Sequence, residues 1–535
     1  MDSRQPLLPR QTHPPSRPSK TIVTCAFLAA IGALAYVGTS KAHQPPAVVV
    51  DEAIDSVSLS KKTETVKESF DGDLRLRCNE TFITQTLDHF TAHHATYQQR
   101  YFTCAEHWKS PDGPIFFYTG HESNAEEFLK ATGLMWENAA EFGALLVFAE
   151  HRYFGKSFPK IENASYVESL RFLSSEQALA DYAVLIRHLK TTLGAKESPV
   201  IAFGGSYAGM LAAWFRMTYP FVVDGSIASS APLLAFEGQD PPVDPEAFAR
   251  ITTFVATPEA GSAKNCVPNI RKAQEIIAAW GATDEGRQNL TSVLGLCYAP
   301  TTQEQAIAIS NGLVDVYTTL AEGNYPFASD YFGKLPAFPY RVACDHLKED
   351  FASDAALLTG FRASVGVVTN STGALKCVDW NATTPIESEN LWSYLACSEL
   401  YMVIGDHDGK RDFFRPTVQN KTADAANCLA RWGVQLRPLW ANTVYGGWAG
   451  IRAASNIVFS NGNFDPWGGY GVWESQSDSV IAIPIDQGGH HLDLMFSSPN
   501  DPVSVRRARE EEKREIRKWI REKRRRANKH KESDA

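Results

Sequence analysis

An α/β fold, with a mostly parallel sheet covered by helices and interrupted by a helical insertion, is predicted by three features of this sequence. Short, nearly continuous apolar runs recur at PIFFYTG (114–120), ALLVFAEHR (144–152), VIAFGGS (200–206), NIVFSNG (456–462) and SVIAIPI (479–485). Runs that do not alternate polar with apolar residues suit strands buried on both faces. Segments with apolar residues at helical spacing lie between them, as in SSEQALADYAVLIRHLKTTL (174–193), where Ser174 or Ser175 can cap the first turn. The strand pattern then fades from about Leu234 to Arg431, where helix-like stretches such as IRKAQEIIAAW (270–280) take over. The 44% hydrophobic and 21% charged fractions are those of a folded chain, and 535 residues leave room for a large insertion.

Along the chain, residues 1–20 read as a cytosolic tail and Thr21–Val37 as an uncharged apolar segment preceded by Arg4, Arg10, Arg17 and Lys20. Basic residues ahead of an apolar stretch keep that side cytosolic, so the remainder is expected to be translocated. An uncleaved signal anchor is favoured over a cleaved signal peptide, because the leader is long. A polar stalk follows at 38–75. The α/β domain is expected in two stretches, 76–233 and 432–509, on either side of a cap at 234–431, with a charged tail at 510–535. Pro6-Leu7-Leu8 in the leader invites comparison with a dileucine sorting signal to a vacuole or lysosome.

Two features agree with a secretory-pathway location, either membrane-bound or secreted. Sequons occur at Asn79, Asn163, Asn289, Asn370, Asn381 and Asn420. Cys25 lies in the apolar segment, and the other eight cysteines fall between Cys78 and Cys428, an even number that suits disulfides. No CxxC or HExxH spacing occurs, so no metal or other cofactor is expected. The net charge of −9 gives no overall reason to expect a nucleic-acid partner. The basic stretch Arg506–Lys531 is interleaved with Glu510, Glu511, Glu512 and Glu515 and reads as a solvated helix.

The chemistry begins at VIAFGGSYAGMLAAWFRMTYP (200–220), where a β-rich run ends on Gly204-Gly205-Ser206 and a helix starts at once. This is the strand–turn–helix setting of a nucleophile elbow, and with the insertion it specifies an α/β-hydrolase fold carrying a disulfide-stapled helical cap. The strict GxSxG pattern is broken, because Ala208 stands where a second glycine is usual and Gly209 follows it. The acid and base of this fold come later in the chain, at the ends of further strands. NGNFDPWGG (461–469) places Asp465 after one strand, and DQGGHHLDL (486–494) places His490 after the next. A seryl hydroxyl needs an imidazole to take its proton and a carboxylate to fix that imidazole, so Ser206, Asp465 and His490 form the expected triad. Asp88, His89, His121 and His151 lack such placement and are read as structural or supporting groups. The oxyanion hole is expected from the backbone N–H of Tyr207 and a donor in the Gly120-His121-Glu122 loop, with Gly120 as the residue assigned.

The chain resembles the prolylcarboxypeptidase and dipeptidyl peptidase II family of serine peptidases. The matching blocks are QTLDHF (85–90), QRYF (99–102), GPIFFYTGHE (113–122), LLVFAEHRYFGKSFP (145–159), EQALADYA (176–183), FGGSYAGMLAAWFRMTYP (203–220), AASNIVFSNGNFDPWGG (453–469) and GGHHLDL (488–494). The resemblance implies cleavage after proline, the first histidine of the HH pair as the base, and Met210 and Trp467 as walls of a proline pocket. A soft thioether and a flat aromatic suit a pyrrolidine ring. It also implies the pairs Cys266–Cys344, Cys297–Cys377 and Cys397–Cys428, leaving Cys78–Cys104 as a further local link. The chain reads as nearer to dipeptidyl peptidase II, although the Cys377–Cys397 interval looks shorter than in that branch.

A serine exopeptidase releasing N-terminal dipeptides after proline is therefore the main expectation, with Asp379, Glu387 and Glu389 as candidate readers of the substrate amine. A proline-directed carboxypeptidase, an endopeptidase and an esterase or lipase on the same fold are the alternatives among enzymes. A catalytically silent, membrane-tethered binding protein is the alternative of another class. The expected partners are peptide substrates, a membrane through the N-terminal segment, and a second copy in a homodimer.

Overall fold

The computed structural model describes residues 72–92, 94–381 and 391–533. The tail, the apolar segment with Cys25, most of the stalk, and Glu387 and Glu389 lie outside them. Among the described residues no helix is long and apolar enough to cross a membrane.

Eight strands are present among the described residues: β1 (Asn79–Thr86), β2 (Thr96–Cys104), β3 (Ile115–Tyr118), β4 (Leu145–Ala149), β5 (Val200–Gly205), β6 (Gly225–Ser229), β7 (Ile457–Gly462) and β8 (Val480–Ile485). They form one sheet in the order β1-β2-β4-β3-β5-β6-β7-β8. β1 pairs antiparallel with β2 and β2 with β4, whereas the strands from β4 to β8 run parallel. Every residue of β3, β4, β5, β6 and β7 is buried, as a sheet covered on both faces requires. Pro484, which cannot donate to a ladder, sits in the edge strand β8. The architecture is an α/β-hydrolase fold.

Two elements are not evident from apolar runs. The β1–β2 pair carries alternating, half-polar patterns and is closed by the Cys78–Cys104 disulfide. β6, with the sequence GSIAS, is too poor in large side chains to stand out. Its first residue has a steric reason to be small, since a methyl group on Gly225 would lie 2.0 Å from Cε3 of Trp519. Trp519 belongs to the helix Val503–Ser533, into which the expected charged tail is absorbed. That helix is not solvated all round: Val505, Ala508, Ile516, Trp519 and Ile520 are buried against one face of the sheet.

On the opposite face lies the helix Ser175–Thr192, capped by Ser174, whose side chain accepts a hydrogen bond from the Gln177 N–H at 3.3 Å. Ser174→Ala is expected to lower stability by about 1 kcal/mol, read as a lower thermal midpoint. A midpoint equal to that of the parent would contradict the capping role.

Between β6 and β7 the chain forms a largely helical cap, including Ala247–Val255, Cys266–Gly281, Asp284–Leu294, Gln303–Glu322, Asp354–Thr369 and Lys421–Trp432. The cap has its own core, with Ile270, Ile277, Tyr317, Leu358 and Phe361 fully buried or nearly so. Cys266–Cys344, Cys297–Cys377 and Cys397–Cys428 staple it. Phe464, one residue before Asp465, inserts into this cap core and so ties the β7 loop to the insertion.

Asn79, Asn163, Asn289 and Asn381 are exposed. Asn370 and Asn420 are half-buried and use their side-chain oxygens locally, accepting from Leu375 N at 2.8 Å and Ala423 N at 2.9 Å.

Candidate active site

The elbow is strained as a nucleophile turn requires. Ser206 has φ 59° and ψ −129°, a region that non-glycine residues avoid. A methyl group on Gly204 would lie 2.1 Å from the Ala208 carbonyl oxygen, and one on Gly209 2.7 Å from that of Ser229. The close approaches therefore fall on residues 204 and 209, which explains why an alanine is accommodated at 208. Thr119 Oγ1 donates to the Ala208 carbonyl at 2.8 Å and braces the turn.

Asp465 and His490 come together, with Nδ1 of His490 2.9 Å from Oδ2 of Asp465 and both side chains buried. The carboxylate beside Nδ1 sets that nitrogen as the N–H and leaves Nε2 free to accept a proton. Asp465 Oδ1 accepts from the backbone N–H of Trp467 at 3.1 Å, which fixes the carboxylate plane. Burial alone would lower the His490 pKa, but the charge of Asp465, its hydrogen bond and the charge of Glu322 raise it above the ordinary value. Among the described residues no hydrogen bond joins Ser206 Oγ to His490. The histidine loop nevertheless reaches the elbow, because a methyl on Gly205 would lie 2.8 Å from Cδ2 of His491.

His491 does not meet Asp465. Its backbone N–H donates to Ser230 Oγ at 2.8 Å and its ring packs edge-on against Tyr331. Burial first, then the neighbouring His490 and His121, hold its pKa well below the ordinary value, so it is neutral.

Tyr207 opens the helix Tyr207–Thr218, where backbone N–H groups have no intrahelical acceptor. Gly120 lies just past β3, and a methyl there would lie 2.1 Å from the Ala149 carbonyl oxygen, so only glycine fits. Met210 is fully buried, one turn into the elbow helix, and Trp467 is half-buried against the same apolar cluster, edge-on to Phe248.

The supporting histidines have defined partners. His151 is buried and donates from Nδ1 to the Arg152 carbonyl at 2.7 Å, which leaves Nε2 to accept from the Tyr207 hydroxyl at 3.2 Å. Burial lowers its pKa to about 4. His89 meets Asp181 at 2.7 Å, Asp88 accepts from Gln177 Nε2 at 2.6 Å, and His121 lies 3.4 Å from Glu122. Asp379 is exposed on the cap, where it accepts from the backbone N–H of Asn381. Among the described residues no cluster of side chains able to hold a metal ion is present.

Sequence reasoning missed Glu322, at the end of the cap helix Gln303–Glu322. Its carboxylate accepts from the Trp467 indole N–H at 2.7 Å, and its carbonyl accepts from the His490 backbone N–H at 3.0 Å. Tyr325, three residues on, donates its hydroxyl to the His490 carbonyl at 3.0 Å. No motif marks these residues, because they act through contacts that exist only once the cap is folded.

The description "Serine carboxypeptidase S28" matches residues 85–512, most of the chain. The chain belongs to this S28 family of serine peptidases. The human lysosomal Pro-X carboxypeptidase is 42% identical over 446 residues, covering 82% of this chain and 88% of its own length. The prolyl carboxy peptidase like protein 5 of Caenorhabditis elegans is 34% identical, covering 84% of this chain and 91% of its own. The mouse thymus-specific serine protease is 28% identical, over 82% and 87% respectively. This S28 chain is thus a serine peptidase by family and fold. The first two of these relatives carry carboxypeptidase names, whereas the sequence alone suggests the dipeptidyl peptidase II branch. That suggestion rests on the general likeness of blocks that both branches share, and not on residues that read a substrate terminus.

Proposed function

We propose that this S28 peptidase is a proline-directed carboxypeptidase that removes a C-terminal residue following proline. The single observation carrying this reading is the 42% identity, spread over 82% of the chain, to relatives named Pro-X carboxypeptidases. In the reaction, Ser206 Oγ attacks the prolyl carbonyl while Nε2 of His490 takes its proton and Asp465 stabilises the imidazolium. The backbone N–H groups of Tyr207 and Gly120 hold the oxyanion. His490 then protonates the departing amine, and water, deprotonated by the same imidazole, releases the acyl group from Ser206. Trp467 and Met210 form the walls for the prolyl ring.

A secretory-pathway or lysosomal compartment is supported by the relatives' names, the disulfides and the exposed sequons. The apolar segment Thr21–Val37 supports entry into that pathway.

A matched pair of substrates tests the reading. An amine-blocked peptide ending in Pro-Xaa with a free carboxylate is expected to be cleaved in preference to an Xaa-Pro dipeptide bearing a free amine and a chromogenic leaving group. Burying an unpaired terminal charge costs several kcal/mol, so one site rarely serves both ends. Preferential release from the free-amine substrate would restore the dipeptidyl reading. Equal cleavage of a peptide blocked at both ends would indicate an endopeptidase.

A further inference from the structure

Glu322 is buried and touches two regions of the site, one through its carboxylate and the other through its backbone carbonyl, yet the triad mechanism does not require it. It reaches the site from the cap, not from the sheet. Its Oε1 atom holds the indole N–H of Trp467 at 2.7 Å, and its carbonyl holds the His490 backbone N–H at 3.0 Å. The same turn approaches the catalytic-histidine loop closely, since a methyl on Gly489 would lie 3.1 Å from the Glu322 carbonyl oxygen. Glu322 therefore joins the proposed proline-pocket wall to the loop carrying the proposed base, and does so from the insertion.

We propose that Glu322 is a positioning residue of this active site, one whose carboxylate fixes the Trp467 indole and whose charge is coupled to that of His490. The inference rests on the triad and pocket assigned above. An indole pinned by a charge-assisted hydrogen bond presents one face to substrate, so the pocket is formed before substrate enters. The charge coupling has a definite set of participants. The charges of His490 on the loop after β8, Asp465 on the loop after β7 and Glu122 on the loop after β3 all act on Glu322. Burial raises the Glu322 pKa to about 7, against the opposing pull of His490 and of the Trp467 hydrogen bond. Conversely, an ionised Glu322 makes His490 hold its proton more tightly. The two groups then titrate as a coupled pair.

Two substitutions separate the two roles. Glu322→Gln keeps an oxygen to accept from the indole but removes the charge. With the charge gone His490 releases its proton more readily, so the acid limb of activity moves to lower pH, by up to about one pH unit. Glu322→Met removes the acceptor as well, and KM is expected to rise roughly 3- to 10-fold for whichever proline substrate the wild type turns over. KM for Glu322→Gln stays near that of the wild type.

The charge role is read from the rate of inactivation by a fluorophosphonate as a function of pH, in the full chain. That rate depends on His490 and Ser206 and not on which substrate terminus is recognised. Failure of the carboxypeptidase reading in the matched-substrate assay therefore leaves this measurement decisive for Glu322. The expected result is an acid limb displaced to lower pH in Glu322→Gln, with raised KM confined to Glu322→Met. A Glu322→Gln profile superimposable on that of the wild type overturns the proposal, as does a Glu322→Met enzyme with unchanged KM. A simple packing role would leave the pH profile of the isosteric Gln variant unmoved.

Discussion

His490→Ala is expected to lower turnover by about 10⁴-fold or more, and Ser206→Ala to abolish both turnover and covalent labelling by a fluorophosphonate. The cause is specific to position. His490 Nδ1 is 2.9 Å from Asp465, whereas the adjacent His491 turns its ring toward Tyr331 and its backbone toward Ser230. Asp465→Asn should likewise cost on the order of 10⁴-fold, because an amide favours the wrong imidazole tautomer while leaving the geometry in place. His491→Ala opens a cavity beside Gly205 and should be far milder in turnover. A His491 variant more impaired than the His490 variant would reverse the assignment within the pair.

Arg152→Leu is expected to destabilise the fold by about 3–5 kcal/mol, read as a lower denaturant midpoint. Arg152 is fully buried and forms a two-point pair with Asp181, at 2.7 and 2.9 Å. Its remaining hydrogen bonds go to the carbonyls of Leu87, Phe172 and Thr86, so one guanidinium joins three chain segments. Asp181 also accepts from the Tyr97 hydroxyl at 2.6 Å and contacts His89. Burial would raise the Asp181 pKa, but the Arg152 charge and the other hydrogen bonds hold it below the ordinary value. Removing the arginine leaves a buried carboxylate without its cation, which is more costly than removing both partners together. The loss should extend to activity, since Arg152 follows His151, the group that accepts from the Tyr207 hydroxyl at the elbow. A midpoint within about 1 kcal/mol of the parent would contradict this account.

The features of this site legible in the sequence are those whose geometry is local. Gly204-Gly205-Ser206 between a β-rich run and a helix announces a tight turn, and Asp465 and His490 follow apolar runs long enough to be read as strands. β6 is not legible: it lacks large side chains, and its Gly225 answers to Trp519, almost three hundred positions away in the chain. The β1–β2 hairpin was missed for a different reason, since only one of its faces is consistently buried and its polar residues hide the alternation. Glu322 was out of reach altogether. A glutamate closing a helix is ordinary in sequence, and only the docking of the cap on the loops after β7 and β8 gives it Trp467 and His490 as neighbours. The substrate terminus is not legible in these residues, because proline pockets and triads do not encode it; that information resides in charges placed beyond the scissile bond.

The most direct test of the account is to locate the covalent adduct of a fluorophosphonate on the folded, full-length chain by peptide mass spectrometry. The predicted result is a single adduct on the peptide spanning Gly204–Gly209, at Ser206, absent when the protein is unfolded before treatment. An adduct on another serine, or none on a chain with a native circular dichroism spectrum, would contradict the claim that Ser206 is the activated nucleophile of this S28 peptidase.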